Sequence, residues 1–403
     1  MSWRVTFWSM VTIQAVSAGA FSISLPFLPL FIEQLGVHPL SKVEEWSGIL
    51  GSINFLTAAL CAPIWGAMAD KFGRKAMVIR SSIFGSIATL LMGLSGNVWQ
   101  LLATRAFNGV FGGFSSAATA LVAAVVPSSS LGFALGWMAT AQQTGIMIGP
   151  VFGGLIADNT AQNYRLVYFV SAGFVGLVAV ITALFVRETF ERKPRSEKMP
   201  SSRRQLLEIA RHPELAPLLV VLALTQVTAM AVSPIVSLFV RDMIGGASPY
   251  IATFAGASFA VMGIGDLVAS PWLGKRSDDM GYRRIVLICL VGAGAFTIPQ
   301  AFVHNVWAFL ALRFGVGLFI GGIIPTANAW IGRLFPAENR GMVYGLSYSA
   351  SFAGMFIGPL FGGFLAARLG FGSVFLVTGG LMLANVLWVL FGVRPADPTR
   401  DWR

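Results

Sequence analysis

The sequence predicts an all-α integral membrane protein, with twelve transmembrane helices arranged in two pseudo-symmetric six-helix bundles. Three observations carry this prediction: the composition, a series of apolar stretches and an internal repeat. Hydrophobic residues make up 56% of the 403 residues and charged residues only 11%, whereas about a quarter of the residues in a soluble globular domain are charged. The mean hydropathy of +0.74 is likewise that of a chain expected to lie in lipid.

The apolar stretches are each long enough to cross the hydrocarbon core, which takes about 20 helical residues. In chain order, spans 1 to 12 are predicted at 7–35, 47–68, 76–95, 98–125, 131–157, 165–186, 215–240, 250–273, 285–303, 306–333, 340–366 and 372–392. Because six spans fall in each half, we expect an N-terminal six-helix bundle (1–186), a cytoplasmic linker (187–213) and a C-terminal six-helix bundle (214–403). The basic linker is either a flexible tether or, at 203–211, a helix lying on the membrane surface.

The basic residues indicate how the chain is oriented. The formal net charge is +11, and with both termini in the cytoplasm 22 of the 28 lysines and arginines lie on the inner side, against 4 in the outer loops. Such an excess in inner loops is typical of membrane proteins and fixes their topology. We therefore predict a multi-pass protein of the bacterial inner membrane, and no nucleic-acid partner.

An internal repeat, with a spacing of 208 or 209 residues, relates the two halves. In spans 5 and 11, three glycines recur every four residues and form one smooth helix face, which lets a neighbouring helix approach closely. The proline after the second glycine removes a helical hydrogen bond and is expected to bend the helix. The residues of this helix-packing signature are Gly145, Gly149, Pro150 and Gly153, repeated as Gly354, Gly358, Pro359 and Gly362.

The connections after spans 2 and 8 share the pattern Gly-x3-Asp-x2-Gly. The first glycine is expected to end the descending helix, the carboxylate to accept from a neighbouring helix start, and the second glycine to allow a tight turn. We interpret the pair as conformational latches, the alternative being that their basic residues only fix the topology. Tyr282 stands where the first latch has Arg74, so the second latch is expected to be weaker. The latch residues are Gly66, Asp70, Gly73, Arg74, Lys75, Gly274, Asp278, Gly281 and Arg283.

Three charged residues are predicted inside the membrane, where charges are costly and usually functional. Arg105 and Arg313 lie about 10 Å from the outer starts of spans 4 and 10, and Asp266 lies about 12 Å from the inner end of span 8. All three are proton-coupling candidates, with Asp266 the favoured carrier. Alternatively, Asp266 pairs with an arginine or caps a kinked turn. Because two arginines accompany one aspartate, at least one arginine must use carbonyl groups, Gln142, Gln143 or a bound anion.

Uncharged amides and aromatic or thioether side chains in several spans are candidates for contact with a solute. Amides inside a membrane helix must face partners or water, and aromatic and methionine side chains give an adaptable apolar surface. Packing or lipid contact is the alternative for each aromatic residue. The candidates are Phe21, Asn54, Phe55, Asn108, Gln142, Gln143, Met147, Met230, Phe259, Asn328, Tyr348 and Phe352.

Residues that would indicate an enzyme or a metal site are scattered. Cys61 and Cys289 fall in predicted spans without a Cys-x-x-Cys pair or a nearby histidine cluster, and read as small apolar residues. The three histidines lie in or beside separate connections. We therefore expect no enzymatic activity, no metal and no cofactor.

These motifs resemble those of the major facilitator superfamily, in particular its twelve-helix drug:proton antiporters. The resemblance covers essentially the whole chain. It includes the latch after span 2, Arg105-x3-Gly109-x3-Gly113 in span 4, and Pro26-x2-Pro29 in span 1. It also includes the glycine signature of span 5, which is the antiporter mark of that family. Segments 24–30, 46–49 and 65–70 look most like the bacterial MdtG-type multidrug transporters.

The resemblance implies the major facilitator fold, with a central cavity lined by spans 1, 2, 4, 5, 7, 8, 10 and 11 that opens alternately to either side. It also implies a part for Arg105 in proton transfer. Span 1 departs from the pattern, because several antiporters of the family place a proton-binding carboxylate there and this span has no acidic residue before Glu33. The proton carrier must then lie elsewhere or be absent.

We therefore expect a membrane transporter that exports amphiphilic small molecules or drugs by alternating access, in exchange for protons. Its partners are a small-molecule substrate, protons and the lipid bilayer, and it is expected to act as a monomer. The alternatives are a transporter dedicated to one metabolite class, such as a sugar or an anionic lipid, a proton-independent facilitator, and a non-transporting membrane sensor.

Overall fold

The computed structural model describes residues 3–127, 130–186, 188, 214–246, 248–335 and 339–393, with only the backbone described for Asp70 and Gly341. The predicted linker, apart from Glu188, and the surface helix predicted at 203–211 lie outside these residues. Twelve long helices follow one another along the described chain. They are α1 Trp3–Gln34, α2 Leu40–Phe72, α3 Arg74–Leu94, α4 Val98–Val125, α5 Leu131–Asn159, α6 Tyr164–Phe185, α7 Leu215–Ile244, α8 Ile251–Met280, α9 Tyr282–Phe302, α10 Val306–Leu334, α11 Arg340–Leu369 and α12 Phe371–Gly392.

The predicted all-α membrane fold is confirmed. Eleven of these helices are long and apolar enough to cross a membrane. The twelfth, α5, has the required length at 29 residues but is not among the eleven; it carries Gln142 and Gln143 in its middle. Helix ends are less well predicted, since α8 continues to Met280 rather than ending near residue 273.

The prediction that Gly66 and Gly274 end the descending helices is wrong. Both glycines lie inside helices, α2 and α8, which continue to Phe72 and Met280. A single glycine makes each turn into the next helix: Gly73 has φ +89° and Gly281 has φ +88°. A lone glycine costs a helix only about 1 kcal/mol, which the surrounding apolar turns offset, whereas a left-handed residue ends it.

Three of the helices are interrupted. A short 3-10 turn, Leu25–Phe27, breaks α1, and another, Ser233–Ile235, breaks α7 at the equivalent place; each contains a proline, which lacks the backbone donor. The break in α4 at 111–113 ends on Gly113 with φ +95°. The equivalent helix of the second half, α10, is continuous from Val306 to Leu334.

Side chains from two neighbouring helices hold the break in α4. Arg80 of α3 donates through Nη2 to the backbone oxygen of Gly112 at 2.9 Å, and Trp65 of α2 donates through Nε1 to that of Val110 at 2.6 Å. The Arg80 guanidinium also lies 3.5 Å from the centre of the Trp65 ring. The carbonyl groups left free by the break are thus satisfied within the bundle.

The helices pack mainly within their own half of the chain. In the first half α1 lies against α5 and α6, α2 against α4, and α3 against α6; in the second, α7 lies against α11 and α12, α8 against α10, and α9 against α10 and α12. The halves meet along two seams, α5 against α8 and α2 against α11.

The two seams are closed at one end of the bundle and open at the other. We call the end at which α1 begins and α12 ends the terminal end, and the opposite one the loop end. At the loop end, a methyl group on Gly256 of α8 would collide with the Pro150 backbone oxygen of α5. Toward the terminal end, methyl groups on Gly136 of α5 and Gly274 of α8 would meet nothing within 4 Å. The same is true of Gly66 and Gly345 on α2 and α11.

Candidate functional site

A hydrogen bond between the two halves joins Gln143 of α5 to Asp266 of α8. Gln143 Nε2 donates to Asp266 Oδ2 at 2.7 Å. On the other side of the carboxylate stands Gly321 of α10, where a methyl group would collide with Asp266 Oδ1, so the glycine leaves the space that the carboxylate occupies. No cationic side chain in the described part of the chain lies within ion-pair distance of Asp266. The predicted alternative of an arginine partner is therefore not what is observed.

The register of the α5–α8 seam places this bond at the boundary between its closed and open parts. Moving from the loop end, Gly154 meets the backbone of Ala252, and Gly256 then meets that of Pro150. Next, Gly263 packs against Met147, one turn from the Gln143–Asp266 bond. Beyond that bond, toward the terminal end, Gly136 and Gly274 have no close neighbour.

The two buried arginines lie apart from Asp266. Arg105 of α4 is 5% exposed and faces the Tyr168 hydroxyl of α6. Arg313 of α10 is 4% exposed; its Nη1 lies 3.6 Å from the sulfur of Met262, and its guanidinium stands 5.6 Å from the ring centre of Phe259. Neither arginine has an acidic partner among the described residues.

Of the alternatives for an arginine without an acid, Gln142 and Gln143 are not observed as its partners. Gln143 bonds Asp266, and Gln142 accepts through Oε1 from Gln14 Nε2 at 3.1 Å. Gln14 also donates to Ser115 of α4, so this network ties α1, α4 and α5 together within the first half. Gln14 was missed in the sequence, although a lone amide in an apolar span is the signal that selected the other amides.

The remaining amide candidates lie in α2, α4 and α10. Asn54 of α2 and Asn108 of α4 are buried, and the Asn54 side chain lies against Gly109, where α2 and α4 cross. Asn328 of α10 has a buried side-chain oxygen to which no described group donates. Asn54 thus takes part in a helix contact within the first half.

The aromatic and thioether candidates lie at several places in the bundle. Met147 packs in the α5–α8 seam, Met230 of α7 packs against Gly358, and Phe259 stands beside Arg313. The others are partly or largely exposed: Phe21, Phe55, Tyr348 and Phe352. A surface cavity of about 340 Å³ on α5 is instead lined by residues that the sequence did not single out: Gly132, Phe133, Gly136, Trp137 and Thr140.

Polar contacts between the halves close the loop end. The Asp158 carboxylate of α5 accepts from the backbone N–H groups of Ala252 and Thr253 at 3.1 and 2.7 Å, capping the start of α8. Glu33 of α1 forms an ion pair with Arg241 of α7. Glu33 and Arg241 are 208 residues apart, the spacing of the internal repeat. Equivalent positions that touch lie near the pseudo-twofold axis, and the structure therefore places this pair there.

The α2–α11 seam has a cross-half hydrogen bond of its own. Ser52 Oγ of α2 accepts from the Leu360 backbone N–H of α11 at 3.1 Å. Pro359 precedes that donor and has no backbone N–H of its own, so one helical hydrogen bond is missing at this turn of α11. The Pro359 backbone oxygen in turn lies 2.6 Å from where a methyl group on Gly48 would be, so the helices touch here.

The latch residues lie at the terminal end, where the two latches differ. In the second latch, Asp278 accepts from the Tyr282 hydroxyl at 2.8 Å and from Arg333 Nη2 at 3.1 Å. In the first, the Glu188 carboxylate accepts from the backbone N–H groups of Arg74 and Lys75 at 3.0 and 2.8 Å. The Asp70 side chain lies outside the described residues. Glu188 was missed because the sequence assigned it to the linker.

The remaining latch residue, Arg283, and the glycines of the helix-packing signature make contacts within each half. Arg283 Nη2 donates to the Leu390 backbone oxygen of α12 at 2.7 Å. Gly145 and Gly149 lie against the α1 backbone near Gly19, and Gly153 lies against Phe27. In the second half the equivalent glycines meet α7: Gly354 at Ala223, Gly358 at Val227 and Gly362 at Ala231.

Curated relatives and solved structures agree with this architecture. The profile of the Major Facilitator Superfamily matches residues 10–248 and 230–402. The chain is 36% identical over 374 residues to the multidrug resistance protein MdtG of Salmonella arizonae, covering 93% of this chain and 91% of that one. It is 36% identical over 387 residues to MdtG of Enterobacter lignolyticus, covering 95% and 91%.

Among solved structures, a mutant of the nucleoside transporter NupG has a TM-score of 0.81 at 8% identity, covering 96% of this chain and 99% of that one. A bacterial homologue of the human lysosomal transporter Spinster, in an inward-facing and occupied conformation, has a TM-score of 0.72 at 16% identity, covering 96% and 94%. At these identities the structures establish the fold alone. The profile match and the 36% identical relatives show that the chain belongs to the major facilitator superfamily.

Proposed function

We propose that this chain is a monomeric transporter of the bacterial inner membrane that exports amphiphilic small molecules, including drugs, in exchange for protons. The curated relatives carry the name multidrug resistance protein, which supports export of drugs. The two halves, 1–186 and 214–403, would rock about the seams. With both termini in the cytoplasm, the state described here has its outer end closed and its inner end open.

The observation that carries the proton coupling is the Gln143–Asp266 hydrogen bond. A carboxyl group deep in the membrane is expensive to keep there and, by default, functional. This one lies where the closed and open parts of the seam meet, so rocking would expose it to one side and then the other. Asp266 would release its proton inward in the state described here. It would take up a proton from outside once the outer end opens.

The test is transport by the purified chain in proteoliposomes with an imposed pH gradient. The probes are rhodamine 6G as a lipophilic cation and carboxyfluorescein as an anion, with a wider chemical panel to follow. Asp266→Asn keeps the size and the capacity to accept from Gln143 but carries no proton, so we expect downhill movement of the probe to persist and uphill movement to be lost. Asp242→Asn, which removes an exposed carboxylate at the loop end, is the matched control. Uphill export by Asp266→Asn at the wild-type rate would refute the assignment of the proton to Asp266.

A second candidate function is the transport of one class of anionic solute. Arg313 favours it, because its charge is buried among a thioether and aromatic rings without an acidic partner in the described residues. A solute anion would satisfy that charge when the site opens. Arg313→Gln would then abolish transport of carboxyfluorescein while leaving that of rhodamine 6G intact; equal loss of both probes, or of neither, would exclude this candidate.

A further inference from the structure

The Gln143–Asp266 bond lies between the closed and the open parts of the α5–α8 seam. On its loop-end side, Gly256 packs against the α5 backbone. On its terminal-end side, Gly136 and Gly274 have no neighbour within 4 Å of an added methyl group. The bond therefore stands where any pivoting of the halves must first open or close the seam.

The carboxylate has few other electrostatic partners at this depth. The sequence of α5 contains no charged residue from 131 to 157, and the next charged residue on α8 toward the terminal end is Lys275. The charged residues on the other elements packed against α8 stand nearer the ends of the bundle: Arg4 and Glu33 of α1, Asp158 of α5, Arg241 and Asp242 of α7, Arg283 and Arg284 of α9, and Arg313 and Arg333 of α10. Of these, Arg313 lies about two turns from Gly321 and contacts Met262 instead.

We infer that Gln143 is the positioning residue that ties the charge of Asp266 to the closure of the α5–α8 seam. This inference rests on the proposed function, in which Asp266 carries the proton. A carboxylate is a stronger acceptor for an amide N–H than a neutral carboxyl group. The bond thus holds α5 against α8 while Asp266 is ionised, and weakens when Asp266 takes up a proton.

This dependence on charge has a consequence for the empty transporter. A carrier that has released its proton inward, and has no substrate, is held by the bond and cannot open its outer end. A substrate must replace or break the bond before the halves can move, which enforces exchange. Without Gln143 the carboxyl group still carries protons, but the empty ionised carrier also switches, and protons leak down their gradient without substrate.

The experiment measures this leak in proteoliposomes holding the full chain and the pH-sensitive dye pyranine, with an imposed pH gradient and no organic substrate. In Gln143→Leu we expect the proton flux to rise about tenfold or more over wild type, since a hydrogen bond to a charged group contributes more than one factor of ten. Asp266→Asn stays at background. Thr140→Val is the matched control on α5, because among the described residues the Thr140 hydroxyl bonds only the backbone of its own helix, and its proton flux also stays at background.

A length exchange separates positioning from a general effect on folding. Gln143→Asn alone shortens the amide side chain, so it cannot reach Asp266 and protons are expected to leak. Gln143→Asn combined with Asp266→Glu restores the combined length of the two side chains and is expected to bring the proton flux back to that of wild type. If the Gln143 variants show no more proton flux than wild type, or if the double variant leaks protons like Gln143→Asn, the inference is overturned and the proposed function still stands. If Asp266→Asn instead retains the substrate-driven proton flux of wild type, the proposed function itself fails.

Discussion

Breaking the ion pair between Glu33 and Arg241 should shift the protein toward a state with an open loop end. The pair joins α1 to α7 across the two halves. Two unit charges in contact near a protein surface attract by about 4 kcal/mol at an effective dielectric constant of about 20. Their side chains are 29% and 25% exposed, so water and the cost of ordering two long side chains offset most of this. We expect a net contribution of about 1–2 kcal/mol, or about a 5- to 30-fold change in the ratio of the two states.

The assay is a distance measurement by electron paramagnetic resonance between spin labels at Ala161 and Tyr250, two exposed positions at the loop end, one in each half. Glu33→Gln and Arg241→Gln should each populate a longer distance, and the exchange Glu33→Arg with Arg241→Glu should restore the shorter one.

A second ion pair at the loop end supplies the matched control. Lys42 and Glu45 pair at 2.7 Å within one helix turn of the same half, so replacing Lys42 by Gln should leave the label distances unchanged. Unchanged distances in both single Glu33 and Arg241 variants would refute the reasoning. So would a charge exchange that behaves no better than the single variants.

Three further outcomes are expected. Gly256→Ala places a methyl group against the α5 backbone, and such overpacking destabilises the closed loop end by about 1–3 kcal/mol. The label distance should therefore lengthen, whereas Gly274→Ala, whose methyl group meets no neighbour, should leave it unchanged. In Arg80→Lys the new side chain cannot both stack on Trp65 and bond the α4 carbonyl groups, so the melting temperature in detergent should fall by several degrees. An unchanged melting temperature would show that Arg80 does not hold the break in α4. Asn305→Ala removes the side-chain cap of α10, which should cost about 1 kcal/mol and lower the same melting temperature slightly, whereas Asn305→Asp should preserve it.

The fold could be predicted because it depends on quantities that a sequence displays directly. The length of the apolar stretches and the repeat spacing fix twelve helices in two halves, whatever the packing details. The ends of helices depend on smaller energies, so Gly66 and Gly274 suggested turns that the helices in fact continue through. Gly73 and Gly281, where the pattern placed the tight turns, have positive φ and end these helices.

The candidate site was predicted in its parts but not in its contacts. Asp266 and Gln143 each stood out as polar residues in apolar helices, yet their pairing depends on how the two halves are rotated against each other. Sequence spacing carries no information on that rotation. Asp158, which caps the start of α8 from the other half, was hidden for the same reason. Glu33 and Arg241 stand at the repeat spacing, but that spacing does not show which equivalent positions meet on the axis.

The break in α4 makes the two halves mechanically unequal. Its segments Val98–Val110 and Phe114–Val125 are two helices joined through Gly113, whereas α10 is one continuous helix of 29 residues. Because Gly113 stands between them, the two segments of α4 can tilt separately. We expect a bulky cargo to displace them by different amounts.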